Sequence, residues 1–333
     1  MNKDCIGVGL IGVGRHGMRY ARHIVQDLPI ACLRAICRQH PEQGFDLPGA
    51  PSVTVYKEPQ SLIADPLVDV VLVVTPPIYS LDICRMVVLA RKPFLIEKPL
   101  ATTAADAQAM VVLTREAEVP LMTAQTLRFD HTIQQMKTLR HRIGRSERLD
   151  LISRIEFKPT APDHADGYGK RGALLEIGVH MLDLVRFLTG EEVSEVRCTT
   201  DILPSAGPET SASVDLTTGG GTVCRIEIAR VAAGRVGRAV WSGSYGRLEA
   251  DWGQRRLQCS DETGTTDFDL PPAQTVLATL TAFLQAVNED TPMPITGEDG
   301  FRAVEIAEAC YRSAQDTGAP VTLPVLPSHS ATM

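Results

Sequence analysis

The glycine pattern at the start of the chain limits the choice of fold more than any other feature. An apolar strand from Cys5 to Ile11 leads into Gly12-Val13-Gly14-Arg15-His16-Gly17, which has G-x-G-x-x-G spacing. Apolar residues then recur at helical spacing, at Met18, Ala21, Ile24, Val25 and Leu28. Glycines also cluster in ordinary turns, but a strand before the motif and a helix after it favour a dinucleotide-binding unit.

Each glycine of the motif has its own expected role. Gly12 permits the tight turn, Gly14 lets the backbone approach a pyrophosphate, and Gly17 lets the helix pack closely on the strand. The phosphates would lie at the helix N-terminus. Arg15 and His16 lie within the same turn, so we count them among the candidate cofactor-binding residues.

The second strand, Ile30 to Cys37, predicts which dinucleotide binds. An acidic side chain at its end, about 20 residues beyond the glycines, would bind the adenosine ribose and repel a 2′-phosphate. Here the strand ends in Cys37, and Arg38 follows. A neutral residue followed by a guanidinium favours NADP over NAD. The alternative is that Arg38 is an exposed turn residue.

Strands and helices alternate over the next ninety or so residues, as in a doubly wound sheet. The apolar run from Val68 to Thr75 is closed by Pro76, and a helix from about Ile78 leads to the next strand. We predict an N-terminal doubly wound parallel sheet followed by a second, C-terminal domain. The predicted domains are 1–122 and 123–326, with a tail at 327–333.

The run Phe94-Leu95-Ile96-Glu97-Lys98-Pro99-Leu100 reads as a buried strand that ends at the ligand crevice. A lysine after a strand is usually a solvated loop residue. Placed after this strand, however, Lys98 would stand at the crevice mouth. We expect the other cofactor contacts at the same sheet edge, from Thr75, Pro76, Glu97 and Gln125.

In the second half of the chain, the candidate functional residues lie on one loop and one helix. The loop from Pro159 to Arg171 contains Asp163, His164, Tyr168, Lys170 and Arg171. It is either a substrate-contacting lid or a solvated connection, and its residues would set the substrate. Short strands with turn signals from Glu192 to Leu270 predict an antiparallel meander, with helices at about 273–288 and 298–314 covering one face.

A helix from Gly172 to Leu188 places Glu176, His180 and Asp183 at i, i+4 and i+7 on one edge. A lone histidine beside an apolar stripe is often structural. Here the two flanking carboxylates favour a general base, because a carboxylate one turn away fixes the tautomer. Metal ligation is the weakest option, since no other ligands match, and we expect no metal.

Composition limits the classes of binding partner and the cellular compartment that we expect for this protein. The net charge of −7, from 33 basic and 40 acidic residues, disfavours nucleic acid, which needs a basic face. We see neither a signal segment nor a membrane-spanning run. The eight cysteines are scattered without C-x-x-C or metal-ligand spacing, and we expect buried free thiols in a cytoplasmic protein.

Three segments together resemble the glucose-fructose oxidoreductase and inositol dehydrogenase family, Gfo/Idh/MocA. They are the glycine turn, the triplet Glu97-Lys98-Pro99, and the run from Glu176 to Asp183. The order and spacing match over nearly the whole chain, including Arg128-Phe129 at the domain crossing.

The resemblance implies an N-terminal Rossmann domain joined to a C-terminal α/β domain with a large, open, mostly antiparallel sheet. It also implies oxidation or reduction of a sugar, polyol or related alcohol by a nicotinamide cofactor. It places Lys98 and His180 beside the nicotinamide, with His180 as the principal acid/base and Glu176 at the catalytic position four residues earlier. It commonly makes the Lys98-Pro99 bond cis, and it implies a homodimer or homotetramer. Candidate substrate contacts are Arg128, Tyr168, Arg171 and Asp183.

Two departures from the family pattern bear on the substrate. Glu176 stands where the family usually has aspartate, so its side chain is one methylene longer. Thr75-Pro76-Pro77-Ile78-Tyr79-Ser80 replaces the usual Thr-Pro-Asn with a later histidine, which removes two polar groups. Both changes suggest a substrate larger or less polar than a free hexose.

Two other functions remain open at this point. One is redox-assisted glycoside cleavage, in which a tightly held cofactor is not consumed, so that no reduced cofactor is released. The other is a cofactor-sensing regulator without turnover, since a fold does not fix function. Lys98 and His180 weigh against a sensor, which needs no proton relay.

Overall fold

The structure, a computed structural model, describes residues 5–50, 52–156, 166–201 and 207–324. Asp163 and His164 of the predicted substrate loop, and the predicted tail at 327–333, lie outside these residues. The chain forms two compact units: one contains Met1–Thr126 and Gln274–Phe301, and the other contains Leu127–Ala273 and Arg302–Met333.

The first unit contains a six-stranded sheet in which every neighbouring pair is parallel. The order β3-β2-β1-β4-β5-β6 is the doubly wound arrangement, with the crevice between β1 and β4, where the order reverses. The strands are β1 (Ile6–Ile11), β2 (Ala31–Cys37), β3 (Thr54–Tyr56), β4 (Val70–Val73), β5 (Phe94–Glu97) and β6 (Leu121–Ala124). The predicted Rossmann sheet is confirmed.

The second unit contains a nine-stranded mixed sheet in the order β14-β13-β12-β11-β7-β10-β9-β8-β15. Its strands are β7 (Ser146–Glu156), β8 (Val193–Asp201), β9 (Ser211–Thr218), β10 (Val223–Val231), β11 (Val236–Gly243), β12 (Gly246–Asp251), β13 (Arg256–Asp261), β14 (Gly264–Asp269) and β15 (Val321–Thr322). The predicted large, mostly antiparallel sheet is confirmed.

The prediction of an unbroken meander in this sheet is wrong. β7 lies between β10 and β11 and pairs with β10 in parallel and with β11 in antiparallel orientation. Consecutive strands with turn signals gave no indication that an earlier strand enters between them. On β10 the predicted alternation holds, because Cys224, Ile226 and Ile228 are buried.

The predicted helices are present with shifted ends, and one short helix, Pro59–Ile63, was not predicted. They are α1 (Gly17–Gln26), α2 (Pro59–Ile63), α3 (Ser80–Leu89), α4 (Ala104–Glu116), α5 (His131–Thr138), α6 (Val179–Thr189), α7 (Thr275–Glu289) and α8 (Gly297–Gln315). The single helix predicted from Gly172 to Leu188 is instead a π-helical turn, Leu174–Gly178, followed by α6. A π turn inserts one residue, which the 3.6-residue pattern does not reveal.

The boundaries between the units differ from the predicted ones. The first unit extends to Thr126, and the chain returns to it at Gln274. The return is explained by contacts of the later segment: α7 packs against α1, and Thr123 donates its backbone N–H to Ile295 O at 3.3 Å. Gly297 fits against Leu121, where an added Cβ would lie 2.7 Å from a side-chain carbon.

The prediction that all cysteines are free thiols is wrong for two of them. Cys5 and Cys32 form a disulfide with a Cα–Cα distance of 5.8 Å. They meet because β1 and β2 are parallel neighbours in which Gly7 pairs with Cys32. The other six cysteines are free and buried. In the part of the chain that the structure describes, no helix is long and apolar enough to cross a membrane.

Candidate functional site

The glycine turn of the first unit has the three distinct environments that its spacing predicts. Gly12 has φ +93°, which side-chain-bearing residues rarely adopt. A Cβ on Gly17 would lie 1.9 Å from Gly12 O, so α1 approaches β1 more closely than any other residue would permit. A Cβ on Gly14 would meet nothing within 4 Å. Backbone next to open space at a helix N-terminus suits a pyrophosphate.

Glu97, at the end of β5, holds this turn from across the sheet. Its Oε1 accepts from the Tyr20 hydroxyl at 2.5 Å and lies 2.6 Å from His16 Nε2. Its Oε2 accepts the Lys98 backbone N–H at 3.0 Å. Glu97 therefore connects β5 to the glycine turn and to α1. Tyr20 was missed by sequence analysis, although its position one helical turn after His16 would have indicated it.

Opposing influences set the ionisation of Glu97. Burial alone would raise the pKa of the carboxyl, but the hydrogen bond and charge of His16, the charge of Lys98 and the Tyr20 hydrogen bond lower it below its usual value. Burial, and then the charge of Glu97, raise the pKa of Tyr20 well above its usual value. Glu97 is therefore an anion that accepts from a neutral tyrosine.

Three further polar atoms near the carboxyl ends of the strands lack a hydrogen-bond partner among the described residues: Thr123 Oγ1, within β6, and two atoms just beyond strand ends. Thr75 Oγ1 follows β4 and Gln125 Oε1 follows β6, and both atoms are buried. A buried polar atom without a partner is destabilising unless a ligand or water satisfies it. Together with the space over Gly14, these atoms fit a bound dinucleotide. Pro76 follows Thr75 directly and begins the turn into the next helix.

At the end of β2, Cys37 and Arg38 make contacts that the prediction of an arginine free to bind the 2′-phosphate did not include. The Cys37 thiol is buried and donates to Lys57 O at 3.2 Å, and burial followed by the charge of Glu58 raises the pKa of Cys37 to about 11. Arg38 Nη1 donates to Gly44 O at 2.8 Å, and Nη2 donates to the Gln43 side chain. Arg38 is thus held by its own loop rather than extending freely into solvent.

Lys98 and His180 belong to different units, so their predicted convergence stays a prediction. Lys98 is half-buried, and its peptide bond to Pro99 is cis, as the resemblance implied. His180 is half-buried on the first turn of α6, and its neighbours Val179 and Met181 are fully buried. Packing of these neighbours fixes the backbone that carries the imidazole.

Asp183 lies farther along α6 in a buried ion pair with Arg128. Arg128 Nε and Nη2 donate to the two carboxylate oxygens at 2.8 and 2.6 Å, and the residues are 8% and 1% exposed. The guanidinium also stacks on the Phe187 ring, 5.2 Å from its centroid. The structure thus gives both predicted substrate residues a mutual contact, and their contact with substrate stays a prediction.

Glu176 is also paired, with a residue that sequence analysis missed. Arg230 Nη2, on β10, donates to Glu176 Oε2, and both side chains are largely buried. No local pattern could have shown this pair, because the partners lie 54 positions apart in the sequence. The carboxylate at the expected catalytic position therefore carries its own counterion.

Tyr168 and Arg171 are the predicted loop residues that the structure describes. Tyr168 is half-buried and packs against the hydrophobic core of the second unit. Arg171 lies over the Tyr311 ring, 4.9 Å from its centroid, and 3.8 Å from Glu308 Oε2. Tyr168 and Arg171 therefore anchor the described end of the loop, while Asp166, Gly169 and Lys170 are exposed, and contact of the loop with substrate stays a prediction.

Comparison with protein families gives the same assignment for both units. Residues 6–125 match the Gfo/Idh/MocA model described as an oxidoreductase family with an NAD-binding Rossmann fold. Residues 152–323 match the C-terminal α/β domain of the same oxidoreductase family.

Individual relatives cover nearly the full length. The chain is 29% identical over 325 residues to myo-inositol 2-dehydrogenase of Thermotoga maritima, covering 93% of this chain and 96% of that protein. It is 28% identical over 327 residues to inositol 2-dehydrogenase of Rhizobium meliloti, covering 92% and 96%. A crystal structure of a probable dehydrogenase from Thermotoga maritima superposes with a TM-score of 0.79 at 28% identity, covering 95% and 98%.

Proposed function

The chain belongs to the Gfo/Idh/MocA oxidoreductase family, and we propose that it transfers hydride between a nicotinamide dinucleotide and a carbinol carbon of a sugar, polyol or related cyclic alcohol or ketone. The observation that carries the proposal is the glycine turn, whose backbone borders open space at Gly14 while Glu97 holds the turn from β5. The names of the two inositol dehydrogenases support a polyhydroxylated substrate.

Each group near the turn has an assigned part in cofactor binding. Backbone N–H groups at the start of α1 would bind the pyrophosphate, because the helix N-terminus carries unpaired donors. Glu97 holds His16 beside the turn, and the His16 side chain is 45% exposed, so it remains accessible to a bound cofactor. The buried Thr75 Oγ1 and Gln125 Oε1 would orient the nicotinamide end of the cofactor.

The chemical step needs one proton transfer beside the hydride transfer. The nicotinamide supplies the two-electron acceptor or donor. We assign His180 as the group that takes the hydroxyl proton during oxidation and returns it during reduction. Lys98 would hydrogen-bond the same oxygen and favour the alkoxide-like charge that develops there. Glu176, with Arg230 as its counterion, would orient the substrate hydroxyls.

The test of this assignment is replacement of Lys98 by methionine. K98M keeps the aliphatic stem but removes the amine, so we expect turnover to fall by roughly 10²-fold or more while the dissociation constant of the cofactor stays near the wild-type value. Lys92, which donates to Ile63 O and Asp65 O away from the glycine turn, provides the matched control K92M. Wild-type turnover in K98M would contradict the proposal.

We further propose that NADP is preferred over NAD. The support is that β2 ends in a buried thiol instead of a carboxylate, and that the next residue is an arginine held at the strand end. R38A would remove one charge-assisted hydrogen bond to the 2′-phosphate, so the Michaelis constant for NADP should rise by roughly tenfold. The Michaelis constant for NAD should change little. A clear preference of the wild type for NAD would contradict this proposal.

The same assays separate the two other functions considered from sequence. Redox-assisted glycoside cleavage would consume substrate without releasing reduced cofactor, whereas a dehydrogenase accumulates it in proportion to product. A sensor would bind the cofactor and turn over no member of an alcohol and ketone panel. We also propose a homodimer or homotetramer, from the family resemblance, which light scattering after size-exclusion chromatography would measure.

A further inference from the structure

A buried carboxylate outside the proposed site holds the segment that carries Glu176 and His180. Glu209, two positions before β9, is 6% exposed. Its Oε1 accepts the backbone N–H groups of Gly172 and Leu174, both at 3.0 Å, and its Oε2 accepts the Gly172 N–H at 2.9 Å. Its backbone carbonyl accepts the Ala173 N–H at 2.9 Å.

These amides are the first donors of the helical segment, the groups that a helix cannot satisfy internally. A carboxylate that accepts several of them also interacts favourably with the positive end of the helix. Glu209 thus satisfies three successive N–H groups, those of Gly172, Ala173 and Leu174, through its side chain and its backbone. The segment begins where Glu209 fixes it.

Tyr311, on α8, holds the carboxylate from the other side. Its hydroxyl donates to Glu209 Oε1 at 2.6 Å. Burial, and then the charge of Glu209, raise the pKa of Tyr311 well above its usual value, so the hydroxyl keeps its proton. The Arg171 guanidinium over the Tyr311 ring adds a second attachment immediately before Gly172.

The fit of Gly172 against Glu209 leaves no room for adjustment. A Cβ on Gly172 would lie 2.1 Å from Glu209 O and 2.9 Å from its Cδ. Such distances are far inside van der Waals contact, so only glycine permits this approach. A side chain at position 172 would therefore push the segment away from Glu209.

The π turn begins two residues later and contains Glu176. Because its hydrogen bonds span five residues instead of the four of an α-helix, it sets the direction of Glu176 relative to His180, which lies on the α-helix that follows. Hydrogen bonds at Gly172 and Leu174 anchor the N-terminal end of this turn. Release of that end would let the turn relax toward α-helical geometry and rotate Glu176 and His180 relative to each other.

We propose that Glu209 is a positioning residue for the proton-transferring histidine: it anchors the π turn, and the turn orients His180 and Glu176. The inference rests on the proposed function for the role of His180. Tyr311 contributes to the same positioning, since it orients the Glu209 carboxylate that accepts the backbone N–H groups. Neither residue is assigned a contact with substrate or cofactor.

The experiment compares E209Q with E227Q and Y311F with Y245F. A glutamine at 209 would direct an amide donor at the Gly172 N–H, so one acceptor is lost without a change in size. Glu227 lies on β10 with Ser213 and Arg225 as partners, and Tyr245 is 70% exposed, so the two control changes are chemically matched. Three readouts are used: amide hydrogen exchange of residues 172–180, the NMR resonance of the His180 ring, and steady-state kinetics.

In E209Q we expect hydrogen exchange of the 172–180 amides to accelerate by at least about tenfold, because one hydrogen bond to a charged acceptor is lost. We expect the His180 resonance, identified by its loss in H180N, to shift. The kcat should fall by roughly 10²-fold, as for a misplaced catalytic group, with an unchanged cofactor dissociation constant. Y311F should show the same three changes at smaller size, and both controls none.

Faster exchange in E209Q with an unshifted His180 resonance and unchanged kcat would overturn the proposal, because Glu209 would then be structural only. If E209Q does not fold, Y311F decides: a wild-type His180 resonance in that variant overturns the proposal. If the wild type turns over no alcohol or ketone, the proposed function fails, whereas the exchange and resonance readouts still decide whether Glu209 positions His180.

Discussion

The glycine turn of the first unit and the ion pairs of the second hold their functional groups in opposite ways. The turn is built from backbone that leaves a space, with Gly14 open on one side and Gly17 tightly packed on the other. The second unit fixes charged side chains by pairing them, Asp183 with Arg128 and Glu176 with Arg230.

The difference is the one that the proposed function predicts for the two regions. A pyrophosphate is the same in every dinucleotide, so backbone donors at a helix N-terminus recognise it without side chains. A polyhydroxylated substrate needs oriented side-chain groups, and a buried charge is tolerated only beside a partner. Substitutions should therefore act through shape in the first unit and through uncompensated charge in the second.

The largest effect is expected from Arg128→Ala, which leaves the Asp183 carboxylate buried without its main partner. We expect the free energy of unfolding to fall by about 3–5 kcal/mol, measured by denaturant titration. Arg145→Ala is the control, because the Arg145–Glu147 pair is exposed (80% and 48%) and such pairs contribute about 0–1 kcal/mol. Equal losses in both variants would show that burial does not make the Arg128–Asp183 pair different from an exposed pair, and would contradict this prediction.

The glycines of the turn give a matched pair within the first unit. Gly17→Ala places a Cβ 1.9 Å from Gly12 O and should lower the free energy of unfolding by about 1–3 kcal/mol or more. Gly14→Ala meets nothing within 4 Å, so its unfolding free energy should stay within about 0.5 kcal/mol of the wild type. Dinucleotide affinity, measured by fluorescence titration, should nevertheless fall in both. Unchanged affinity in the Gly14 variant would place the ligand elsewhere.

Glu97→Gln tests the comparison between the glycine turn and the ion pairs of the second unit, because Glu97 is a charged side chain that contacts the glycine turn. The His16 side chain is 45% exposed, so the loss at neutral pH should be only about 1 kcal/mol. The folded-state pKa of Glu97 is lowered, so its stabilising contribution is present above about pH 4 and disappears as the pH falls through the folded-state pKa.

Wild type and E97Q should therefore differ in unfolding free energy at pH 7 and converge toward acidic pH. Denaturant titrations of both proteins at several pH values measure this. A difference that grows on acidification would reverse the sign and contradict the lowered pKa.

Much of the first unit could be predicted from sequence, because its determinants are local. The spacing of Gly12, Gly14 and Gly17 after a strand indicated the turn, and apolar runs indicated the parallel strands. The contact between Glu97 and His16 could not be predicted, since it depends on which strands are neighbours. The Cys5–Cys32 disulfide depends on the same information.

The second unit was predicted less completely, because its site depends on partners distant in sequence. Arg230 reaches Glu176, and Arg128 reaches Asp183 from 55 positions earlier. Helical periodicity suggested that Glu176, His180 and Asp183 form one edge, but the π turn changes the spacing within it. The roles of Lys98 and His180 stay predictions.

The entry of β7 between β10 and β11 has a consequence for how the large sheet can be divided. Each of these two strands gives one edge to β7, so without it the sheet falls into two separate halves. Substitutions that disturb the pairing of β7 should therefore weaken the connection between the two parts of the sheet, β8–β10 with β15 on one side and β11–β14 on the other.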